Sequence, residues 1–472
     1  MIEMSLGRIA EVCGGAASDP GRTVRQVTTD SRHVEPGTLF VALRGDRHDG
    51  HDFVAAAVEA GAVAALVERH PGGDVPHVLV GDAHDALARL AHAVRLAVDP
   101  VALAVTGSVG KTTVKDLVAQ GLGATHLVHA SRASFNNEIG VPLTLLGLDS
   151  DTDVLVAEIG ARHVGDIAPL AALVEPDVSI VTAVAPVHLG PFGDLASIAR
   201  TKQELVEALG PAGVAVLNVA DPRVAAMASV APDVVRVSAE PGAVDADVGV
   251  RSVVLDGSAH ACLDVHTPWG DVEVRAPLPG RHQVVNVLLA LAACGHVDGS
   301  VDKAVGAIEA ARISAWRGQV LEAGGVTIVD DTYNANPTSM RAALDTLVDL
   351  AAGRSTTAVL GVMAEMGAGA HDAHVSIGEH CRSLGVDRVV VIGTEAAGII
   401  EGVENRRSST RAVRADTIED AVELLRREPP VGQVVLVKAS RVAGLDRVVD
   451  ALTGCADHGA ETSTEDRQGT RR

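Results

Sequence analysis

The sequence predicts an α/β protein made of three successive α/β units. Short apolar, β-branched runs alternate with segments of helical periodicity along most of the chain, the pattern of parallel sheets covered by helices. The 472 residues exceed what one hydrophobic core organises, and size scaling gives roughly three domains. Polar and charged residues recur at the carboxyl ends of the apolar runs, where open parallel sheets bind ligands.

Residues 1–98 form the first unit. "GTLFVAL", "AVAALVE" and "HVLVGD" read as strands. "HDFVAAAVEAGA" and "AHDALARLAHAVRLA" read as helices, the second with Leu87, Leu90, Ala91 and Val94 on one face. Asp99-Pro100 marks the entry to a second unit, residues 99–311. There "VALAV" leads into a glycine-rich loop and a helix, and "DVLVAEIG", "DVSIVTAV" and "GVAVLNV" continue a parallel sheet. Residues 241–279 read as a small antiparallel section with a hairpin, after which "GRHQVVNVLLALAACGHV" returns to helix. The third unit, 312–455, has strands at "GVTIVDD", "TTAVLGV", "DRVVVIG" and "GQVVLVKAS". The tail, 456–472, has the polar composition of a disordered segment.

Composition excludes several classes. A hydrophobic content of 47% is that of a globular protein. A formal net charge of −22 excludes general nucleic-acid binding, while leaving room for an anionic nucleotide in one basic pocket. No apolar run approaches the roughly 20 residues of a membrane helix, and the N-terminus lacks the pattern of a secretory signal. Cys13, Cys262, Cys294, Cys381 and Cys455 form no C-x-x-C, so reduced, buried thiols in a cytoplasmic protein are expected. The only lysines are Lys111, Lys115, Lys202, Lys303 and Lys438, and Tyr333 is the only tyrosine. In such a chain a surviving lysine marks a place where arginine does not substitute.

"AVTGSVGKTTVKDL" (104–117) carries the clearest chemistry. Gly107, Ser108 and Gly110 form a turn between a buried strand and a helix, with backbone N–H groups and the helix dipole aimed at an anion. Lys111 would neutralise β- and γ-phosphates, and Thr112 or Thr113 would reach Mg²⁺. The longer phosphate-loop template has a glycine where Val105 stands, so this is a shorter loop. Glu158 ends the next strand, as a metal ligand or as an ordinary cap or ion-pair partner. His188 follows another strand. Lys202 lies on a helix, where lysine is normally solvated. Asn136, Asn137 and Glu138 precede an apolar helix as capping residues. Asp330 and Asp331 end a buried strand, and Asn334 and Asn336 precede Pro337 as turn residues.

Together, and in this order, these segments resemble the Mur ligase family of ATP-dependent amide ligases. The resemblance runs from about Thr28 to Leu452. It rests on "TTDSRHVEPGTLFVAL", "RHDGHDF", "TGSVGKTT", "NNEIGVPLTLL", "AEIGA", "HLGPFG", "ARTKQEL", "GRHQVVN", "DDTYNANPTSMRAAL" and "VKASR". It implies an N-terminal domain for a UDP-linked substrate, a central P-loop ATPase domain with a parallel sheet, and a C-terminal Rossmann-like domain for the amine. The Tyr-Asn-Ala-Asn-Pro string points to the branch that joins D-alanyl-D-alanine to a UDP-N-acetylmuramoyl-tripeptide (UDP-MurNAc-tripeptide) in peptidoglycan synthesis. ATP would phosphorylate the tripeptide carboxylate, and the dipeptide amine would attack the acyl phosphate. Such a reaction needs charge neutralisation and alignment rather than a protein nucleophile.

Residue by residue, the resemblance makes Lys111 the phosphate-binding lysine and Thr112 a Mg²⁺ ligand. Glu158 and His188 resemble ligands of a second Mg²⁺. Lys202 is similar to a lysine carried as a carbamate (N6-carboxylysine). Asn137, Asn286, Arg317 and Asp331 resemble ATP contacts. Ser31 resembles a residue near the uracil, and Asn334 and Asn336 resemble substrate contacts. Lys438, Ser440 and Arg441 match a basic motif near the reacting groups. A monomer acting on small molecules, without nucleic acid or membrane, is expected.

Four positions depart from the family pattern: Val109 for a polar residue, Gln283 for asparagine, Val362 for an acid and Ala439 for glycine. None removes a charge or metal ligand of the site. The alternatives are a paralogous ligase with another amine acceptor, a folylpolyglutamate-type ligase, and a P-loop protein that binds nucleotide without ligating. The N-K-x-D of a GTPase is absent.

Overall fold

Four sheets organise the chain, as seen in a computed structural model that describes residues 1–45, 47–187, 189–405 and 409–454. His188, Cys455 and the tail 456–472 lie outside the described residues. In the first unit, strands Gln26–Thr28, Thr38–Val41, Ala64–Val67 and His77–Leu79 run parallel, and Ala16–Ala17 adds an antiparallel edge. Helix Leu6–Cys13, absent from the sequence reading, packs beneath this sheet. Ser5 caps its start, and Gly14, in the left-handed region at φ 67°, ends it. Met4–Ser5 and Thr23–Val24 pair as a separate two-stranded sheet.

The central sheet has nine strands. Its parallel part runs in the order Val128–Ala130, Val154–Glu158, Val101–Thr106, Val178–Val181, Val214–Asn218, Asp233–Ser238 and Val248–Leu255. The antiparallel strands His260–His266 and Val272–Pro279 extend the same sheet rather than forming a separate section. Strand Val101–Thr106 comes first in the chain yet lies between Val154–Glu158 and Val178–Val181. The loop that follows it therefore opens at a topological switch point, the place where such sheets leave a crevice for ligands. Helix Gln283–Asp298, buried on most sides, covers one face against helix Lys111–Leu122.

The last sheet has six strands in the order Gln319–Ala323, Val326–Asp331, Val434–Lys438, Thr356–Leu360, Arg388–Ile392 and Arg411–Ala415. Gln319–Ala323 is antiparallel and precedes "GVTIVDD", so the sequence reading missed the true first strand. Lys438, at the end of its strand, stands in register between Asp331 and Leu360. The last-entered strand thus sits near the sheet's middle and carries its lysine to the shared carboxyl edge.

The units are docked. One apolar cluster joins Leu87, Leu90 and Val94 of the first unit to Val141, Leu145 and Leu170 of the second. Arg95 fastens the same seam by donating to Val174 O at 2.8 Å. Ala259, at the tip of the antiparallel extension, packs into the core of the third unit. Among the described cysteines, Cys13, Cys294 and Cys381 are buried as expected, but Cys262 is exposed, because burial alternates along strand His260–His266 and Cys262 falls on its solvent-facing side. Among the described residues no helix is long and apolar enough to cross a membrane.

Candidate active site

The loop after Val101–Thr106 depends on two glycines. Gly107 has φ 147° and Gly110 φ 83°, conformations that side chains disfavour. A β-carbon on Gly107 would lie 1.9 Å from Thr182 Oγ1, and one on Gly110 would lie 2.6 Å from Asn286 Oδ1. The neighbouring strand end braces the loop. Thr182 Oγ1 donates to Val109 O at 2.5 Å, Ser108 N–H donates to Ala183 O at 2.8 Å, and Ser108 Oγ donates to Ala185 O at 3.1 Å. Val109 enters these bonds through its carbonyl, so its apolar side chain removes none of them. Gly110 begins helix Lys111–Leu122 with no side-chain cap. The free first-turn N–H groups and the helix dipole suit an anion such as phosphate.

Lys111 Nζ folds back to donate to Gly107 O at 2.9 Å. Burial holds its pKa below the usual lysine value, with Glu158 opposing the shift and Arg317 adding to it. Thr112 Oγ1 donates to Glu158 Oε2 at 2.7 Å, and Asn136 Nδ2 donates to Oε1 at 2.8 Å. The buried Glu158 is thereby oriented at both oxygens.

Lys202 sits on helix Leu195–Glu207, whose start is capped by Asp194. It is 2% exposed, and its amine has no hydrogen bond or ion pair to any described residue. Burial pushes the amine down to about 7, and the nearby Lys111 cation pushes the same way, against Glu204 and Asp166.

A second group of residues faces this one across the seam with the third unit. Asn286 Nδ2 donates to Gln283 Oε1 at 2.8 Å, and Gln283 Nε2 lies 2.9 Å from His282 Nε2. Gln283, in place of asparagine, is therefore the middle of a chain of side chains that runs from over Gly110 to His282. Burial lowers the His282 pKa, while Asp331 and Lys438 act on it in opposite directions. Lys438 Nζ meets Asp331 Oδ2 at 2.5 Å and donates to Asn334 O at 2.7 Å. The Arg317 guanidinium lies 4.0 Å over the Tyr333 ring and donates to Ser134 Oγ at 3.0 Å. Arg441 lies 4.2 Å over Trp316 and pairs with Asp446 at 3.0 Å.

Lys111, Thr112, Glu158 and Lys202 thus converge at the loop, with Asn286 above it and Arg317, Asp331, Lys438 and Arg441 along the facing edge. Other sequence-derived residues have internal partners. Asn137 Oδ1 accepts from Gly140 N–H at 2.9 Å, at the start of helix Gly140–Leu146. Asn336 caps helix Pro337–Ala351 through Ser339. Ser440 Oγ accepts from Ala364 N–H at 2.9 Å and donates to Ala335 O at 3.3 Å. Ala439 is fully buried against Gly361. Asn334 is exposed, Thr113 is buried, and Ser31 follows strand Gln26–Thr28 in the first unit. Sequence reasoning missed Ser134, Thr182 and Trp316, and took Asn136 only as a cap. The pairing of Asn136 with Asn137 was the one available signal.

Among the described residues no three His, Cys, Asp or Glu side chains cluster as a metal site. Thr112 and Glu158 offer the hard oxygens that Mg²⁺ takes. An ammonium at Lys202 would repel a dication, whereas a carbamate there would supply a further oxygen donor.

Asp330 is buried, and burial raises its carboxyl pKa from 3.8 to about 6, with Asp331 and Asp446 adding and the Thr332 hydrogen bonds opposing. The folded state therefore holds this proton more tightly than the unfolded chain. Its stabilising contribution is full below pH 3.8 and is lost as pH rises through about 6. A shift of two units corresponds to about 3 kcal/mol. Asp330→Asn is expected to gain in melting temperature over the parent as pH rises from 4 to 7. Parallel curves would show that the carboxyl does not titrate this way.

Comparison with known proteins agrees with this layout. Residues 23–95 match the "Mur ligase family, catalytic domain", 105–294 the "Mur ligase middle domain", and 316–441 the "Mur ligase, glutamate ligase domain". The UDP-N-acetylmuramoyl-tripeptide–D-alanyl-D-alanine ligase of Mycobacterium tuberculosis is 41% identical, over 96% of this chain and 98% of that protein. The enzyme of the same name from Escherichia coli is 35% identical over 96% and 99%. A crystal structure of MurF from Acinetobacter baumannii superposes with TM-score 0.87 at 29% identity, covering 96% of this chain and 99% of that one. MurF from Thermotoga maritima in complex with ADP gives TM-score 0.79 at 28% identity, over 91% and 97%.

Proposed function

The chain belongs to the Mur ligase family, and on that footing we propose that it joins D-alanyl-D-alanine to UDP-MurNAc-tripeptide with cleavage of ATP, in peptidoglycan precursor synthesis. The observation that carries this reading is Lys202: a buried amine without a described partner, beside a second lysine. A P-loop protein that only binds nucleotide has no use for such a group. A neutral amine captures CO₂ as a carbamate, which converts an unfavourable buried cation into an anion facing Lys111.

In this reading the loop N–H groups and Lys111 hold the β- and γ-phosphates of ATP, and Asn286 and Arg317 close over the nucleotide, with Asp331 at the ribose. Thr112, Glu158 and the carbamate of Lys202, with His188 from outside the described residues, would hold Mg²⁺. Bound Mg²⁺ supplies neutralisation of the charge on the phosphoryl oxygens. The tripeptide carboxylate takes the γ-phosphoryl group, and the dipeptide amine then attacks the acyl carbon and expels phosphate. Lys438 and Arg441, on the facing edge, stabilise the negative charge of that tetrahedral stage. Ser31 lies toward the uridine end, and Asn334, Asn336 and Ser440 shape the loop near the peptide. A cytoplasmic monomer, as the sequence reading expects, is part of the same proposal.

Phosphate release tests the reading. With ATP and UDP-MurNAc-tripeptide, steady release is expected only when D-alanyl-D-alanine is added, with one amide formed per phosphate. Release that ignores the dipeptide, or that requires a different amine, would overturn the assignment of substrate.

A further inference from the structure

Lys115, one of only five lysines, has no part in the site described above. It is 3% exposed, pairs with Asp116 at 2.5 Å and donates to Ser131 O at 2.9 Å. Asp116 Oδ2 in turn accepts from Ser314 N–H at 2.8 Å. One turn further along the same helix, Gln120 makes two bonds to one backbone unit. Its Nε2 donates to Arg312 O at 2.7 Å, and its Oε1 accepts from Arg312 N–H at 2.8 Å. Three hydrogen bonds from two side chains thus bind residues 312–314, the connection into the third unit, to the helix that begins with Lys111 and Thr112.

The connection is itself held in a costly shape. Trp316 has φ 63°, in a region that large side chains seldom adopt. Its carbonyl accepts from Tyr333 N–H at 3.1 Å, and its ring lies beneath Arg441. The next residue is Arg317, which reaches back to Ser134 on the segment that Lys115 anchors at Ser131. Loop helix, segment 131–136 and connection therefore meet at one buried charge pair.

We propose that Asp116 and Gln120 are positioning residues that place Arg317 in the site and couple occupancy of the nucleotide loop to the connection between the second and third units. The helix is the rigid element: its first turn holds the phosphate-binding lysine, and its next two turns hold the connection. A displacement of one end is carried to the other. The inference rests on the nucleotide reading of the loop.

Tryptophan emission gives a direct readout. The chain has two tryptophans, and Trp269 belongs to the core beside the antiparallel edge of the central sheet. In a Trp269→Phe background only Trp316 emits. MgADP is expected to change its emission. Gln120→Leu, of similar volume but without polar atoms, should abolish most of that change, since the helix then no longer grips the connection. It should lower kcat about tenfold and raise KM for ATP as well, because the misplaced Arg317 is a nucleotide contact. Gln120→Glu keeps the acceptor for Arg312 N–H and loses the donor, so it should fall between the two. A full ADP response in Gln120→Leu, or an unchanged kcat, would overturn the proposal while leaving the ligase reading intact. Failure of the Trp269→Phe parent to bind ADP would instead overturn the nucleotide reading, and this coupling with it.

Discussion

Lys202→Ala is expected to lower ligation by at least about 1,000-fold, because it removes a charge that acts mainly on the transferring phosphoryl group. Nucleotide affinity should change far less, since the loop N–H groups and Lys111 remain. Two companion measurements separate a carbamate from an ordinary lysine. Lys202→Arg keeps the positive charge but forms no carbamate at neutral pH, so it should be as inactive as the alanine variant. Formate or acetate, entering the cavity left by the side chain, should restore part of the alanine variant's rate. Substantial activity in Lys202→Arg, or no recovery with either acid, would contradict the role given to this residue. The physical basis is the burial of the amine at 2% exposure and a pKa of about 7. At that value a large fraction of the amine is neutral and nucleophilic near physiological pH.

Gly107→Ala is the second large effect. The added methyl would meet Thr182 Oγ1 at 1.9 Å, on a backbone at φ 147°. Overpacking and backbone strain of this kind each cost about 1–3 kcal/mol. Relief by moving Thr182 breaks its bond to Val109 O and loosens the phosphate loop. ATP binding is therefore expected to weaken at least about 100-fold, which is about 2.8 kcal/mol, as measured by calorimetric titration. Gly107→Ala combined with Thr182→Ala removes the clashing oxygen and should recover thermal stability in part without recovering affinity. Parent-like affinity in the single variant would mean that the loop tolerates a side chain there and is not the tight cradle described.

Local features of the site were readable from the sequence; the braces were not. The strand before the loop, the glycines and Lys111 lie within one short stretch, and a chemical mechanism links them. Lys202 drew attention through the scarcity of lysines and the family resemblance of "ARTKQEL", and its burial is a tertiary fact: helix periodicity alone leaves it solvated. Thr182 is 75 residues from Gly107, and nothing in its own neighbourhood announces that its hydroxyl holds Val109. The same holds for Arg317 with Ser134 and for Gln120 with Arg312, pairs brought together by docking of the third unit on the second. Strand Gln319–Ala323 was missed because its burial alternates between partial and exposed, the mark of an edge strand, not a continuous apolar run. Asn336 shows a nearer case: the sequence marked it as a turn residue before Pro337, and in the structure it caps the helix that starts there.

On the proposed route the tripeptide carboxylate is phosphorylated before the amine attacks. Oxygen-18 in that carboxylate tests it most directly. An acyl phosphate leaves with the oxygen that linked carbon to phosphorus, so the released phosphate should carry one labelled oxygen per amide formed, and only when D-alanyl-D-alanine is present. Unlabelled phosphate released alongside amide would contradict the acyl-phosphate route.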